Sequence, residues 1–119
     1  MEMSLITLVA KGTVTVAQNS TKFTATIPFK FCSGFSAVKL KVSAGSVTTS
    51  WQVSGDEQLW FDAVDGSGNA LYGIASVQSS GSKWVFSQSP FAPYVRLKFV
   101  EVNVASVTVN YEVYIQEGV

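Results

Sequence analysis

A chain of 119 residues, 47% of them hydrophobic and only 13% charged, is long enough for one domain with a real core and too short for two. Eight Lys plus Arg balance eight Asp plus Glu to a net charge of zero, and scattered lysines at zero net charge exclude the concentrated basic face of a nucleic-acid binder. The absence of histidine removes the commonest general base and metal ligand, the single Cys32 can form no intrachain disulfide, and no apolar run approaches the length of a membrane-spanning helix.

Charge this scarce, against about 25% in typical soluble domains, fits either a surface of Ser, Thr, Asn and Gln or a surface buried against partners. Cys32 follows Phe29-Lys30-Phe31, the setting of a buried, inert thiol. The run Leu5-Ile6-Thr7-Leu8-Val9-Ala10 lacks a basic flank, so no targeting segment is expected. The protein is expected to be made in a cytoplasm and to reach its destination by assembly, with no membrane partner.

The predicted elements are all strands. Met3 to Lys11 and Thr13 to Ala17 read as strands broken at Gly12, with residues 1–11 an N-terminal arm or an edge strand. Lys22 to Phe31 alternates, with Phe23, Ala25, Ile27, Phe29 and Phe31 on one side; Pro28 cannot donate to a ladder and marks an edge or a bend. Ser33-Gly34 reads as a turn. Ala37 to Ser43 then places Val38, Leu40 and Val42 inward and Lys39 and Lys41 outward. In Ser46 to Ser54, the residues Val47, Thr49, Trp51 and Val53 share a face, and Gly55-Asp56-Glu57 is a loop. Gln58 to Val64 is short and aromatic, with Trp60 and Phe61 on opposite faces. Asp65-Gly66-Ser67-Gly68-Asn69 is the strongest turn signal. Leu71 to Val77, Lys83 to Ser87 and Tyr94 to Val102 are further strands, with Pro90-Phe91-Ala92-Pro93 a rigid connector. The clearest strand is the last. From Ala105 to Gln116, the residues Ala105, Val107, Val109, Tyr111, Val113 and Ile115 form a dry side, and only Tyr114 intrudes on the polar side.

Short strands at close intervals, with no helical period and no internal repeat, predict an all-β chain: a single antiparallel β-sandwich domain over residues 1–119, jelly-roll-like. Its core is expected to hold Val38, Leu40, Val42, Val95, Leu97, Phe99, Val107, Val109, Tyr111 and Val113.

No catalytic constellation emerges, so neither an enzyme nor a cofactor is expected. Asp62 and Asp65 are the candidates for a weak calcium site. The loop from Asp65 spaces oxygen side chains as an EF-hand loop begins, but Ala70 stands where the sharp turn needs Gly and Ser76 where a bidentate Glu is required. An ordinary hairpin loop is the better reading, and no metal is expected. Of Trp51, Trp60 and Trp84, two are expected in the core; Trp60 is expected outside, because Leu59, Phe61 and Ala63 can supply the inward face of its strand. Arg96, the only arginine, lies outward beside Tyr94 and Lys98 and can anchor an ion pair or an interface, or simply be solvated. The interface candidates are Leu5, Ile6, Leu8, Trp60, Tyr94, Arg96 and Tyr114.

Two segments carry a family resemblance. Ser50-Trp51-Gln52-Val53-Ser54-Gly55-Asp56-Glu57-Gln58-Leu59-Trp60-Phe61 resembles the strand, Ser-Asp-Gly loop and Trp element of discoidin-like, galactose-binding-type jelly rolls. Pro90-Phe91-Ala92-Pro93-Tyr94-Val95-Arg96-Leu97 resembles the Tyr-Val-Arg-Leu strand of the same domains. With the long final strand, the pair is similar to small phage virion proteins: head decoration proteins, head fibres and tail accessory proteins. The resemblance covers about the C-terminal two thirds and departs from the pattern at Gly55-Asp56-Glu57. It implies a non-enzymatic virion protein, made in the host cytoplasm, that decorates or cements a phage capsid. Its partners would be the major capsid protein or another virion protein and copies of itself, as a trimer. The alternative it implies is a discoidin-like module that binds carbohydrate or a cell surface. No ligand site is carried over.

Overall fold

Alternating β-branched and aromatic residues fit a pleated, half-buried surface, and the regular elements among the described residues are all strands. A computed structural model describes residues 5–28, 32–43, 46–64, 66–67, 74–78, 82–88, 92–101 and 106–117. Among them run β1 (Leu5–Val16), β2 (Thr21–Phe23), β3 (Cys32–Val42), β4 (Ser46–Ser54), β5 (Trp60–Asp62), β6 (Ile74–Gln78), β7 (Ser82–Gln88), β8 (Tyr94–Val100) and β9 (Val107–Glu117). No helix occurs among the described residues.

The strands form two antiparallel sheets packed as a sandwich. The first has the order β1-β9-β3-β7. The second has the order β2-β8-β4, and the far edge of β4 is shared. There β5 pairs with Gln52 to Ser54, and β6 pairs at the other end of β4, from Ser46 to Thr49. If β5 and β6 are taken as one strand position, this is the interleaved order of an eight-strand jelly roll.

The expected core is buried between the sheets, except that Tyr111 is half-buried, its ring packed against Phe99 at 5.8 Å between centroids. Val16, Ile27, Val47 and Trp51 join it in the core cluster, and Ala37 and Ile115 are buried as well. The alternation of β9 holds along its length: Val107, Val109, Val113 and Ile115 are buried, while Asn110 is exposed.

Three local expectations are corrected. The chain does not break at Gly12. β1 runs through it, paired with β9 from end to end, and the irregularity falls instead between Leu8 and Ala10. Ser33-Gly34 is not a turn but lies inside β3. There Cys32 opposes Glu117 while Ser36 opposes Ile115, so extra residues bulge from the ladder. Of the strand expected from Lys22 to Phe31, the described part is regular only over β2. Beyond it Thr24 enters the ladder with its side chain: Oγ1 accepts from the Leu97 amide (3.1 Å) and donates to the Ala25 carbonyl (2.8 Å). Ile27 then returns with a single bridge to Val95, its amide donating at 2.8 Å. Residues 29–31, 65 and 71–73 and the Cys32 side chain lie outside the described residues.

Candidate functional site

Because the sheets bury their inner faces against each other, any recognition surface must come from their outer faces or from the loops. On the outer face of the first sheet, strand register brings distant residues together. Leu8 opposes Tyr114 across β1 and β9, and Ala37 opposes Tyr114 across β3 and β9. The Tyr114 ring stacks on Trp84 of β7, with centroids 5.1 Å apart. Ile6 (68% exposed), Phe35 (55%), Trp84 (45%) and Leu8 (41%) leave this end of the sheet apolar and open to solvent. The other end is polar. Lys11, Thr13, Lys39, Lys41, Asn110 and Glu112 line a shallow surface hollow. Lys39 pairs with Glu112 at 3.5 Å, Thr13 donates to Asn110 Oδ1 at 2.6 Å, and the Tyr114 hydroxyl donates to Glu112 at 3.0 Å. The last bond and the nearby carboxylate hold the Tyr114 hydroxyl above its ordinary pKa.

The outer face of the second sheet carries a connected polar and aromatic group. Arg96 of β8 lies between two rings, its guanidinium carbon 3.9 Å from the Phe23 centroid and 4.2 Å from that of Trp60. Its Nε donates to Gln52 Oε1 at 2.9 Å, and Gln52 Nε2 donates to Asp62 Oδ1 at 3.0 Å. Lys98 closes the chain on Asp62 at 3.1 Å. Gln52 is therefore buried although it points away from the core, roofed by the charged side chains around it. The Gln52 donor and then Lys98 hold the Asp62 carboxyl below its usual value, and burial pushes the Arg96 guanidinium down.

The interface candidates thus divide between two opposite faces. Ile6, Leu8 and Tyr114 meet on one; Trp60 and Arg96 meet on the other, with Tyr94 in the same outward row of β8. Leu5 pairs with Glu117 through the backbone, and its side chain lies outside the described residues. Asp62 is engaged by Gln52 and Lys98, and Asp65 lies outside the described residues. Among the described residues no group of three or more Cys, Asp or Glu is placed to hold a metal.

Two tryptophans are expected in the core and one is found there. Only Trp51 is fully buried; Trp84 is exposed, and Trp60 is half-buried with one ring face under Arg96. Leu59 and Phe61, expected to face inward, are 61% and 56% exposed, because β5 is a three-residue edge strand. Phe23, Gln52 and Trp84 were not singled out as surface residues by sequence reasoning. Their places depend on which strands pair and in what register, and no local pattern encodes that.

No protein-family model and no curated protein matches the chain. Among solved structures the chain is similar to a subunit of Bacillus endospore appendages, described as forming a novel family of disulfide-linked pili. The TM-score is 0.52 at 13% sequence identity, over 97% of this chain and 91% of that one. Identity this low carries the fold and no more. The finding corrects the virion reading: a solved structure that aligns over nearly the whole chain is a pilus subunit. The discoidin-like module, capsid decoration, the major-capsid-protein partner and the virion location are withdrawn with it. The physical reason for the misreading is that both motifs behind it are structural. The segment after Ser54 is a loop closed on its own hydrogen bonds, and Tyr94 to Leu97 is the ordinary in-out alternation of a strand.

Proposed function

We propose that this protein is a non-enzymatic structural subunit that assembles with copies of itself into an extracellular, pilus-like appendage. The observation that carries the reading is the pair of unlike, solvent-exposed aromatic faces on opposite sides of one sandwich, in a fold that aligns with a pilus subunit over nearly its full length. Exposed apolar side chains gathered in a patch mark interaction sites. Unlike patches on opposite sides support head-to-tail association, which grows an open filament where a closed trimer would leave no free face. A surface with few charges and zero net charge offers little repulsion to stacking copies.

The similar pili are disulfide-linked. The 119 residues of this chain hold one cysteine, and a thiol that pairs once joins two copies without propagating a chain. Disulfides through Cys32 therefore cannot by themselves propagate a filament of these subunits, and the reading rests its cohesion on non-covalent contacts between the exposed faces. The test is sedimentation and negative-stain microscopy of the purified protein over a wide concentration range, with and without reductant. Concentration-dependent polymers that survive reductant are expected. A single monomeric boundary at every concentration overturns the reading.

A further inference from the structure

Arg96 does not have the surroundings of a solvated surface cation. Its guanidinium is flanked by the Phe23 and Trp60 rings, and its Nε is committed to Gln52. Gln52 is held in turn by Asp62, and Asp62 by Lys98. The carboxylate of this face is thus already neutralised by a lysine. Among the described residues no carboxylate lies within ion-pair distance of Arg96, and no hydrogen bond to another described residue uses its terminal nitrogens. The fold has partly desolvated a cation and fixed its plane with two rings and an amide, and no described residue supplies a counter-charge.

We propose that the Phe23–Arg96–Trp60 sandwich is a carboxylate-recognition site. The guanidinium is a planar fork whose donors suit a carboxylate lying in its plane. With a ring over each side and Nε occupied, approach is restricted to the in-plane edge formed by the two terminal nitrogens, which donate to a carboxylate end-on through two parallel bonds. The charge count selects the ligand class. Lys98 is spent on Asp62, so the guanidinium is the one unpaired cation among the groups joined at this site, matched by one carboxylate, and a phosphate dianion would also meet the Asp62 charge nearby. Forming the ion pair also offsets the desolvation of Arg96. Two sources supply such a group. One is an acidic side chain of a second copy of this chain, a source that rests on the assembly reading above. The other is a small free carboxylate, which does not.

The experiment titrates dilute protein with sodium acetate at ionic strength held constant by sodium chloride. The readout is the indole N–H resonance of Trp60, assigned with Trp60→Phe. A saturable shift with acetate is expected. In Arg96→Lys, which keeps the charge and loses the fork, binding is expected to weaken about tenfold, the loss of one bidentate pair of charge-assisted bonds. Phe23→Leu, at an exposed edge position, removes one ring with little risk to folding and is expected to weaken binding in the same direction. A response that does not saturate, or that is the same in the wild type and in Arg96→Lys, overturns the proposal. Sedimentation of concentrated Arg96→Lys separates the sources: weakened self-association assigns the carboxylate to a neighbouring copy, and unchanged association assigns it to a small molecule. If the wild type never self-associates, the assembly reading falls while the acetate result still decides the site.

Discussion

Tyr111 occupies the space that a side chain on Gly12 would need. The two are register partners across β1 and β9, and a β-carbon at Gly12 would lie 2.9 Å from the Tyr111 hydroxyl and 3.2 Å from two of its ring carbons. Tyr111 cannot retreat freely, because its ring packs on Phe99 in the core. Forcing extra atoms into packed space costs about 1–3 kcal/mol, and removing a glycine from a strand returns about 0.5–1 kcal/mol. Gly12→Ala is therefore expected to destabilise by about 1 kcal/mol, the difference of those two terms, and Gly12→Val by more. In a Tyr111→Phe background the Ala penalty should shrink, since the closest atom is gone. Urea denaturation of the four proteins of this double-mutant cycle is the measurement.

The same pair shows what the sequence could and could not reveal. A lone glycine in an alternating run reads as a break, and only the partner strand shows that Gly12 is there to make room. Burial along single strands was legible, because Val38, Leu40 and Val42, or Val107 and Val109, declare their inward face by period alone. Trp84 was not legible. Its outward place follows from β7 being the strand beyond β3, where it meets Tyr114. The Phe23, Arg96 and Trp60 group draws on β2, β8 and β5, and the register that joins them is a property of the folded sheet.

Acid sensitivity should concentrate in the loop after β4. Ser54 Oγ accepts from the amides of Asp56 (3.2 Å) and Glu57 (2.9 Å), and Asp56 Oδ1 accepts from those of Gln58 and Leu59, both at 2.9 Å. The Leu59 and Gln58 donors, with the Ser54 hydroxyl, hold the Asp56 carboxyl below its ordinary value of 3.8. A carboxyl depressed in the folded state binds its proton more tightly when the chain unfolds. Its contribution is therefore present above the unfolded value and is lost as pH falls through the lower folded one. Asp62 adds to the same window with the same sign. The Tm should hold from neutral pH to about pH 5 and fall below about pH 4. Asp56→Asn keeps an accepting oxygen that does not titrate, and should flatten that fall. Thermal melts at stepped pH decide, and equal slopes in both proteins would assign the acid sensitivity to other carboxylates.

On the outer face of the first sheet, Trp84→Lys should separate folding from association. An aromatic pair of the Trp84–Tyr114 kind adds about 0.5–1.5 kcal/mol beyond its burial, so the melt is expected to move only a few degrees. A lysine beside Ile6, Leu8 and Phe35 puts a charge into the apolar end of the face, and the concentration needed for self-association should rise. Sedimentation of the variant beside wild type is the check. Association unchanged in a folded variant would exclude this face from the contact.

Glu101 is a fully buried carboxylate, and it holds the turn between β1 and β2. Its Oε1 accepts from the Asn19 amide at 3.1 Å, and its own amide donates to the Ser20 carbonyl at 3.0 Å. The turn closes locally as well, the Ser20 amide donating to the Ala17 carbonyl at 3.1 Å. Asn19 sits at its apex with φ of 53°, the left-handed region that asparagine tolerates better than most residues. Two kinds of substitution follow. Glu101→Ala removes an acceptor from a buried amide and leaves a void, and should destabilise by about 2–3 kcal/mol. Glu101→Gln retains an oxygen at the same reach and should cost less. Asn19→Ala keeps the amide and its bond but must hold the left-handed conformation, at about 1 kcal/mol, whereas Asn19→Gly should be close to neutral because glycine enters that region freely. Denaturation midpoints that rank Glu101→Ala below Asn19→Ala, with Glu101→Gln and Asn19→Gly nearer the wild type, would show that the buried carboxylate, and not the turn's own geometry, fixes the step from the first sheet to the second. The reverse order would place that control in the backbone of Ala17 to Ser20.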